Sequence, residues 1–168
     1  MINEIDTKIL NIIQQDARIS NAEIARQVEL APSAVLERIR KLEERGVIRG
    51  YAAEIDANQV GFGLTAFVFV RTSFCGSIGD ALAQIPEVLE VHDVAGEDCY
   101  LLKVRAENTD ELGKFFREKL KKHPEIVSTR TTVVLQTIKE TTALPLEKLN
   151  ETAAEASAKR HPRKASKN

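Results

Sequence analysis

Apolar positions in the first fifty residues recur at helical spacing in three short runs. Ile5, Ile9, Ile12 and Ile13 make the first stripe, with Asp6 and Lys8 on the opposite, solvent side. Asp16, Ala17 and Arg18 break that period. Ser20-Asn21-Ala22-Glu23 then has the form of a capping box, in which the serine oxygen accepts from the N–H of Glu23 and the glutamate reaches back. A second helix follows with Ile24, Ala25 and Val28 inward, and Leu30-Ala31-Pro32 ends it, because proline disfavours helical geometry in the residue before it. Pro32 suits the first position of a third helix, expected over residues 33–45 with Val35, Ile39 and Leu42 inward and Leu36 beside them. Gly46 suits the position just past its end. Glu29 and Ala31 stand where a helix-turn-helix commonly has glycine and a Ser or Thr cap. After Gly46 the period shortens, and residues 47–56 read as a two-stranded ribbon turning near Arg49 and Gly50, a wing.

Residues 58–63, with two glycines and little periodicity, read as a linker. Beyond them strand and helix signals alternate: a strand over 64–74; a helix over 77–85 with Ile78, Leu82 and Ile85 on one face; a strand over 88–95; a turn at Gly96-Glu97-Asp98; a strand over 99–106; a helix capped by Thr109 and running to about 122, with Leu112, Phe115, Phe116 and Leu120 inward; and a strand over 126–139. This is the β-α-β-β-α-β order of a ferredoxin-like domain. Ile85-Pro86-Glu87-Val88 and His123-Pro124-Glu125-Ile126 repeat one helix-to-strand joint, as two halves of a pseudo-twofold sheet would. The first strand puts Ala66, Val68 and Val70 on one face and Phe67 and Phe69 on the other, and Val133 and Leu135 oppose Val134. A sheet covered by helices on one side only should be polar on the other. The second apolar face therefore predicts homodimerisation. The fold class is α+β: a winged helix-turn-helix domain (1–57), a linker (58–63), a ferredoxin-like effector and oligomerisation domain (64–142) and a basic tail (143–168). The tail carries no acidic residue from Lys159 onward and is expected to be solvated and disordered.

An apolar share of 43% is that of a globular chain, and no run approaches the length of a membrane helix. The N-terminus lacks the apolar core of a secretory signal, which gives an expectation of a soluble, cytoplasmic protein. Cys75 and Cys99 lack the spacing of a metal site or disulfide framework, so free thiols are expected. The formal charge of −1 gives no support to nucleic-acid binding. DNA affinity has to come from local arrangement.

That arrangement is the third helix. An α-helix fits the major groove, with its first turns and outward side chains at base edges. Ser33, Ala34, Glu37, Arg38 and Lys41 are the outward positions, with Arg40 at the flank. Arg38 suits guanine; Ser20 and Asn21 at a helix start suit phosphates; Arg49 and Tyr51 on the wing suit the flanking backbone. For an enzyme the candidates are His92 and His123, and neither sits in an evident nucleophilic or metal constellation.

The stretches IDTKILNIIQQDARISNAEIA, APSAVLERIRKLEERGVIRGY, VAGEDCYLLKV and STRTTVVL resemble the Lrp/AsnC (feast/famine) family of transcriptional regulators, over about residues 3–140. The resemblance implies double-stranded DNA as partner, dimers formed through the C-terminal domain and often octamers of four dimers. It also implies a small effector, typically an amino acid, bound where dimers meet. The family's lining maps to Gly96, Glu97, Asp98, Cys99 and Tyr100, facing Arg130, Thr131, Thr132, Val133 and Val134. Many relatives carry aspartate where Cys99 stands. No cofactor or metal is implied. One branch with this architecture, the sirohaem decarboxylases, is catalytic and supplies the alternative function.

Overall fold

The computed structural model describes residues 2–76 and 78–146. They fall into two units, one comprising residues up to Ala53 with those from Thr141, the other Glu54–Glu140.

The first unit holds α1 (Glu4–Gln15), α2 (Asn21–Val28) and α3 (Pro32–Glu44). Ile9, Ile24, Ala25, Val35 and Ile39 form its buried cluster, with Ile5, Ile12, Ile13, Val28 and Ile48 packed around it. β-Branched residues cost up to about 0.7 kcal/mol each in a helix. Full burial of one returns roughly 1.5–3 kcal/mol, so tertiary packing rather than propensity makes these helices. Leu36, placed beside the inward stripe, is 55% exposed.

The helix ends show where local chemistry decides. The complete capping box is at α1: the Asn3 side chain accepts from the Asp6 N–H at 2.9 Å and the Asp6 carboxylate accepts from the Asn3 N–H at 3.2 Å. Ser20 caps α2 by accepting from the Glu23 N–H at 3.2 Å. The expected return bond gives way, because the Glu23 carboxylate is taken by Arg26 and Gln27 on the next turn. α2 ends on Glu29 in the left-handed region, φ +57° and ψ +43°, the conformation for which glycine is the usual residue. α3 starts on Pro32 and closes with Gly46 at φ +67°. There the Val47 N–H donates to the Leu42 carbonyl and the Gly46 N–H to the Glu43 carbonyl, the paired bonds of a Schellman end.

Two expectations fail here. Asp6 is not on the solvent side; it is 7% exposed. The ribbon is absent: residues 47–56 contain no strand. An isolated two-stranded ribbon is marginal in water, and the large side chains along this one stay in solvent, Tyr51 51% and Ile55 68% exposed. Ile48 joins the helical cluster instead. The linker is a hydrogen-bonded turn in which the Phe62 N–H donates to the Ala57 carbonyl at 2.7 Å.

The second unit contains β1 (Leu64–Thr72), α4 (Gly79–Ala83), β2 (Val88–Asp93), β3 (Tyr100–Ala106), α5 (Thr109–Glu118), a 3-10 turn (Leu120–Lys122) and β4 (Ile126–Val133). The sheet order β2-β3-β1-β4, antiparallel throughout, is that of a ferredoxin-like fold. Ala66, Val68, Val70, Leu102 and Val104 point to the helices and are fully buried with Leu82, Leu112, Phe115 and Leu120. Asn108 rather than Thr109 caps α5, its side chain accepting from the N–H groups of Asp110 and Glu111. β4 stops well short of residue 139 because its partner runs out: the Val134 N–H makes a last bond to the Thr65 carbonyl, beyond which Leu135 is 98% exposed. The two Pro-Glu joints are equivalent in space. The Glu87 carbonyl accepts from the Arg105 N–H, and the Glu125 carbonyl from the Ser73 N–H, both at 2.9 Å.

The cysteines overturn the free-thiol expectation: Cys75 and Cys99 are disulfide-bonded, Cα–Cα 5.3 Å. Pairing of β1 with β3 causes this. The Cys99 N–H donates to the Val70 carbonyl, and the chain leaving β1 turns back at Gly76, φ +89°, so Cys75 meets its partner. Spacing along the chain does not reveal such a contact.

The tail beyond residue 146 lies outside the described residues. Among the described residues, no helix is long and apolar enough to cross a membrane.

Candidate functional site

α3 turns Val35, Ile39 and Leu42 into the core and leaves Ser33, Arg40 and Lys41 exposed, with Ala34 and Glu37 half-buried. Its basic side chains are already engaged. The Glu37 carboxylate accepts from Arg40 at 2.8 and 3.0 Å and lies 3.3 Å from Lys41. The bond from Arg40, then that from Lys41, lowers the Glu37 carboxyl to about 2. Arg40 also meets Glu44. A phosphate approaching this face therefore exchanges with a carboxylate, which lowers the net gain of contact but keeps both cations aligned along α3.

Arg38 is placed differently from the outward position expected of it. Its guanidinium donates to Asp6 of α1 at 2.7 Å, with the two side chains 31% and 10% exposed. One Asp6 carboxylate thus closes the α1 capping box and anchors α3. Tyr51 donates to the Glu43 carboxylate at 2.8 Å, and partial burial followed by that carboxylate pushes its phenol up to about 12. Ser20 and Asn21 lie at the start of α2, and Arg49 is exposed just past α3.

In the second unit the Gly96–Asp98 turn and Arg130 come together. Arg130 donates to Asp98 at 2.9 Å and lies over the Phe69 ring, 4.0 Å from its centroid. Glu97 is exposed; Cys99 and Tyr100 are buried, with the Tyr100 hydroxyl accepting from the Ile78 N–H at 3.4 Å. The rest of the expected lining lies farther along the strand. Thr131 pairs with Val68, Thr132 with Phe67 and Val133 with Ala66. At a rise of about 3.4 Å per residue, Val134 is roughly 14 Å beyond Arg130. One chain therefore assembles the turn with Arg130 and leaves Val133 and Val134 at the far end.

Phe67, Phe69 and Leu101 are half-buried on the sheet face opposite the helices, among Lys103, Arg105 and Arg130. Sequence patterning found Phe67 and Phe69 on this face and did not single out Leu101, Lys103 or Arg105. Lys103 meets Glu90 at 3.1 Å and also Glu140, and Arg105 meets Glu140 at 3.1 Å. The segment after β4 thus folds back across that face. Glu140 was not legible because it follows the end of the strand pattern. His92 contacts Glu90 at 3.1 Å and is exposed. Among the described residues, no three His, Cys, Asp or Glu side chains are grouped to hold a metal.

A three-helix unit with an exposed α3, joined to a ferredoxin-like sheet, is the build of a DNA-binding regulator with a sensory domain. Family models agree in both halves: winged helix-turn-helix DNA-binding over residues 2–49, and Lrp/AsnC ligand binding domain over residues 65–144. The HTH-type transcriptional regulator FL11 of Pyrococcus horikoshii is 37% identical over 148 residues, covering 87% of this chain and 97% of the relative. The leucine-responsive regulatory protein of Escherichia coli is 34% identical, covering 87% and 92%. Among solved structures, a transcriptional regulator from Neisseria meningitidis in complex with L-methionine has a TM-score of 0.84 at 32% identity, covering 89% of this chain and 99% of that one. A feast or famine regulatory protein from M. tuberculosis, also complexed with L-methionine, has a TM-score of 0.80 at 31% identity, covering 86% and 99%. The chain belongs to the Lrp/AsnC family of transcriptional regulators.

Proposed function

We propose that this regulator reads duplex DNA with α3 and responds to a small zwitterionic effector of the amino-acid type through a change in assembly. The observation that carries the DNA half is the division of α3 into a buried stripe and an exposed side bearing Ser33, Arg40 and Lys41. Ala34 and Glu37 flank the same surface; Ser20 and Asn21 supply phosphate contacts, with Arg49 and Tyr51 at the edge. Arg38 acts from behind, by fixing α3 on α1.

The effector half rests on the Asp98–Arg130 pair. A carboxylate and a guanidinium side by side complement an ammonium and a carboxylate, and Phe69 and the rest of the lining offer apolar surface for a side chain. The methionine complexes of two relatives favour the same ligand class. The outer face with Phe67, Phe69 and Leu101 serves as the homodimer surface, and dimers joined in fours give an octamer. A ligand that prefers one assembly changes the spacing of the readers, and DNA affinity shifts by the same coupling energy. The relatives' naming as transcriptional regulators supports a non-enzymatic role in the compartment that holds the DNA.

Binding to a labelled promoter fragment, measured across a salt series, tests the reading. Arg40→Ala and Lys41→Ala should each reduce the salt slope by about 1. Unchanged affinity and slope in both variants would overturn the assignment of α3. Light scattering with a panel of amino acids tests the effector half; an assembly indifferent to every member, and to Arg130→Ala, would overturn it.

A further inference from the structure

A protein that works on DNA works in a reducing compartment, where disulfides are rare and, when present, are usually transient or sensing. Taking that reading of its function, we propose that Cys75–Cys99 is a reversible thiol–disulfide site that controls the loop between β1 and α4, beside the β2–β3 turn.

The two cysteines are built asymmetrically. Cys75 is exposed, whereas Cys99 is 3% exposed and part of the buried core. Cys99 is held on both sides without the covalent bond: its N–H donates to the Val70 carbonyl at 2.9 Å and its carbonyl accepts from the Val94 N–H at 3.0 Å. Its sulfur lies 3.9 Å from the Thr72 carbonyl oxygen, an acceptor ready for a thiol proton. The reduced state is therefore accommodated on the sheet side, and the freedom gained on reduction falls to the loop carrying Cys75. That loop follows the Ser73–Glu125 backbone bond and leads to Gly79, whose Cα packs so closely that a Cβ would lie 3.2 Å from the Tyr100 ring. It thus adjoins Cys99 and Tyr100, directly after the Asp98 that binds Arg130.

The exchange is balanced with low-molecular-weight thiols. A thiolate attacks the exposed Cys75 sulfur, the Cys75–Cys99 bond breaks, and Cys99 leaves as a thiolate that takes up a proton in its apolar surroundings. A second thiolate attacks the mixed disulfide and releases Cys75, giving two protein thiols and one small disulfide. A small-molecule disulfide drives the reverse reaction.

The full-length chain is equilibrated in a series of reduced-to-oxidised glutathione ratios spanning those of a reducing cytoplasm, and thiols are trapped with a maleimide mass tag. Zero-tag and two-tag species should interconvert reversibly with no stable single-tag form. A bond that persists at every ratio with the fold intact, or that stops at the glutathione adduct, would overturn the proposal. Hydrogen exchange at residues 73–76 should rise several-fold in the reduced protein and in Cys75→Ser, while residues 100–106 keep their protection. Equal exchange in both states would refute control of the loop. Neither readout uses DNA or effector, so a failure of the proposed function would leave both unchanged.

Discussion

Asp6→Ala tests the joint between α1 and α3 most directly. The substitution removes the 2.7 Å bond to Arg38 and the acceptor for the Asn3 N–H. Breaking a buried ion pair from one side costs about 3–5 kcal/mol, while exposed pairs contribute about 0.2–1 kcal/mol. Asp6 is nearly enclosed, but water reaches the 31% of Arg38 that is exposed, so the loss falls between these ranges, at about 2 kcal/mol. The lost half of the capping box adds about 0.5 kcal/mol. Asp6→Asn retains an acceptor for the cap and should lose only the first part. Urea unfolding followed by far-UV circular dichroism, with hydrogen exchange to assign the transition to α1–α3, gives the values. A double-mutant cycle with Arg38→Ala should return a coupling of about 1.5 kcal/mol. Coupling near zero would refute the anchoring role. DNA binding separates the alternatives further: an anchoring Arg38 makes Asp6→Asn weaken DNA affinity, whereas a base-reading Arg38 would be freed by that change and bind as well or better.

Ser20→Ala should cost about 1 kcal/mol, since it leaves the Glu23 N–H without its cap and no reciprocal bond exists to compensate; chemical denaturation reads this. Glu29→Gly should stabilise the same unit by about 1 kcal/mol, because the residue is left-handed and its side chain is exposed; a fall in stability would show that the carboxylate has a role there. The Glu90–Lys103–Glu140 group sets a pH window. The bond from His92, then that from Lys103, lowers the Glu90 carboxyl; the bond from Lys103 lowers that of Glu140, and the bond to Glu140 raises Lys103. The carboxylates therefore contribute stability above their ordinary value of 4.5 that is lost as pH falls through the depressed values. Lys103 contributes below 10.5 and loses its contribution as pH rises through its raised value. The difference in unfolding midpoint between the native protein and Glu140→Gln should thus be full between those limits and shrink beyond each; a difference independent of pH would contradict the pairing.

Features governed by local chemistry were legible in the sequence. Ser20, Pro32 and Gly46 act through their own neighbours, and the strand alternation around Val68 and Phe69 depends only on period. Asp6 misled because its charge suggested solvent, although helical spacing sets it beside Ile9 at the edge of the buried stripe; its partner Arg38 comes from another helix and makes that burial tolerable. Residues 47–56 misled because they alternate without enough apolar surface to hold a ribbon. Cys75 and Cys99 meet through strand pairing that no spacing rule contains. In the proposed effector lining, Asp98 and Arg130 are joined by the register of β4 on β1, while the same register carries Val133 and Val134 away.

The strand order has a consequence for how the chain comes into being. β1, at the centre of its sheet, pairs only with β3 and β4, so Leu64 waits for Ala106 and Ala66 for Val133. The cluster of the three N-terminal helices is completed by residues no later than Ile48. During synthesis the reader can therefore fold while the most apolar strand of the chain is still unpaired, a slow, non-local closure that exposes Phe67 and Phe69 to aggregation. Expression at lower temperature, or at a slower rate, should favour soluble protein for this reason.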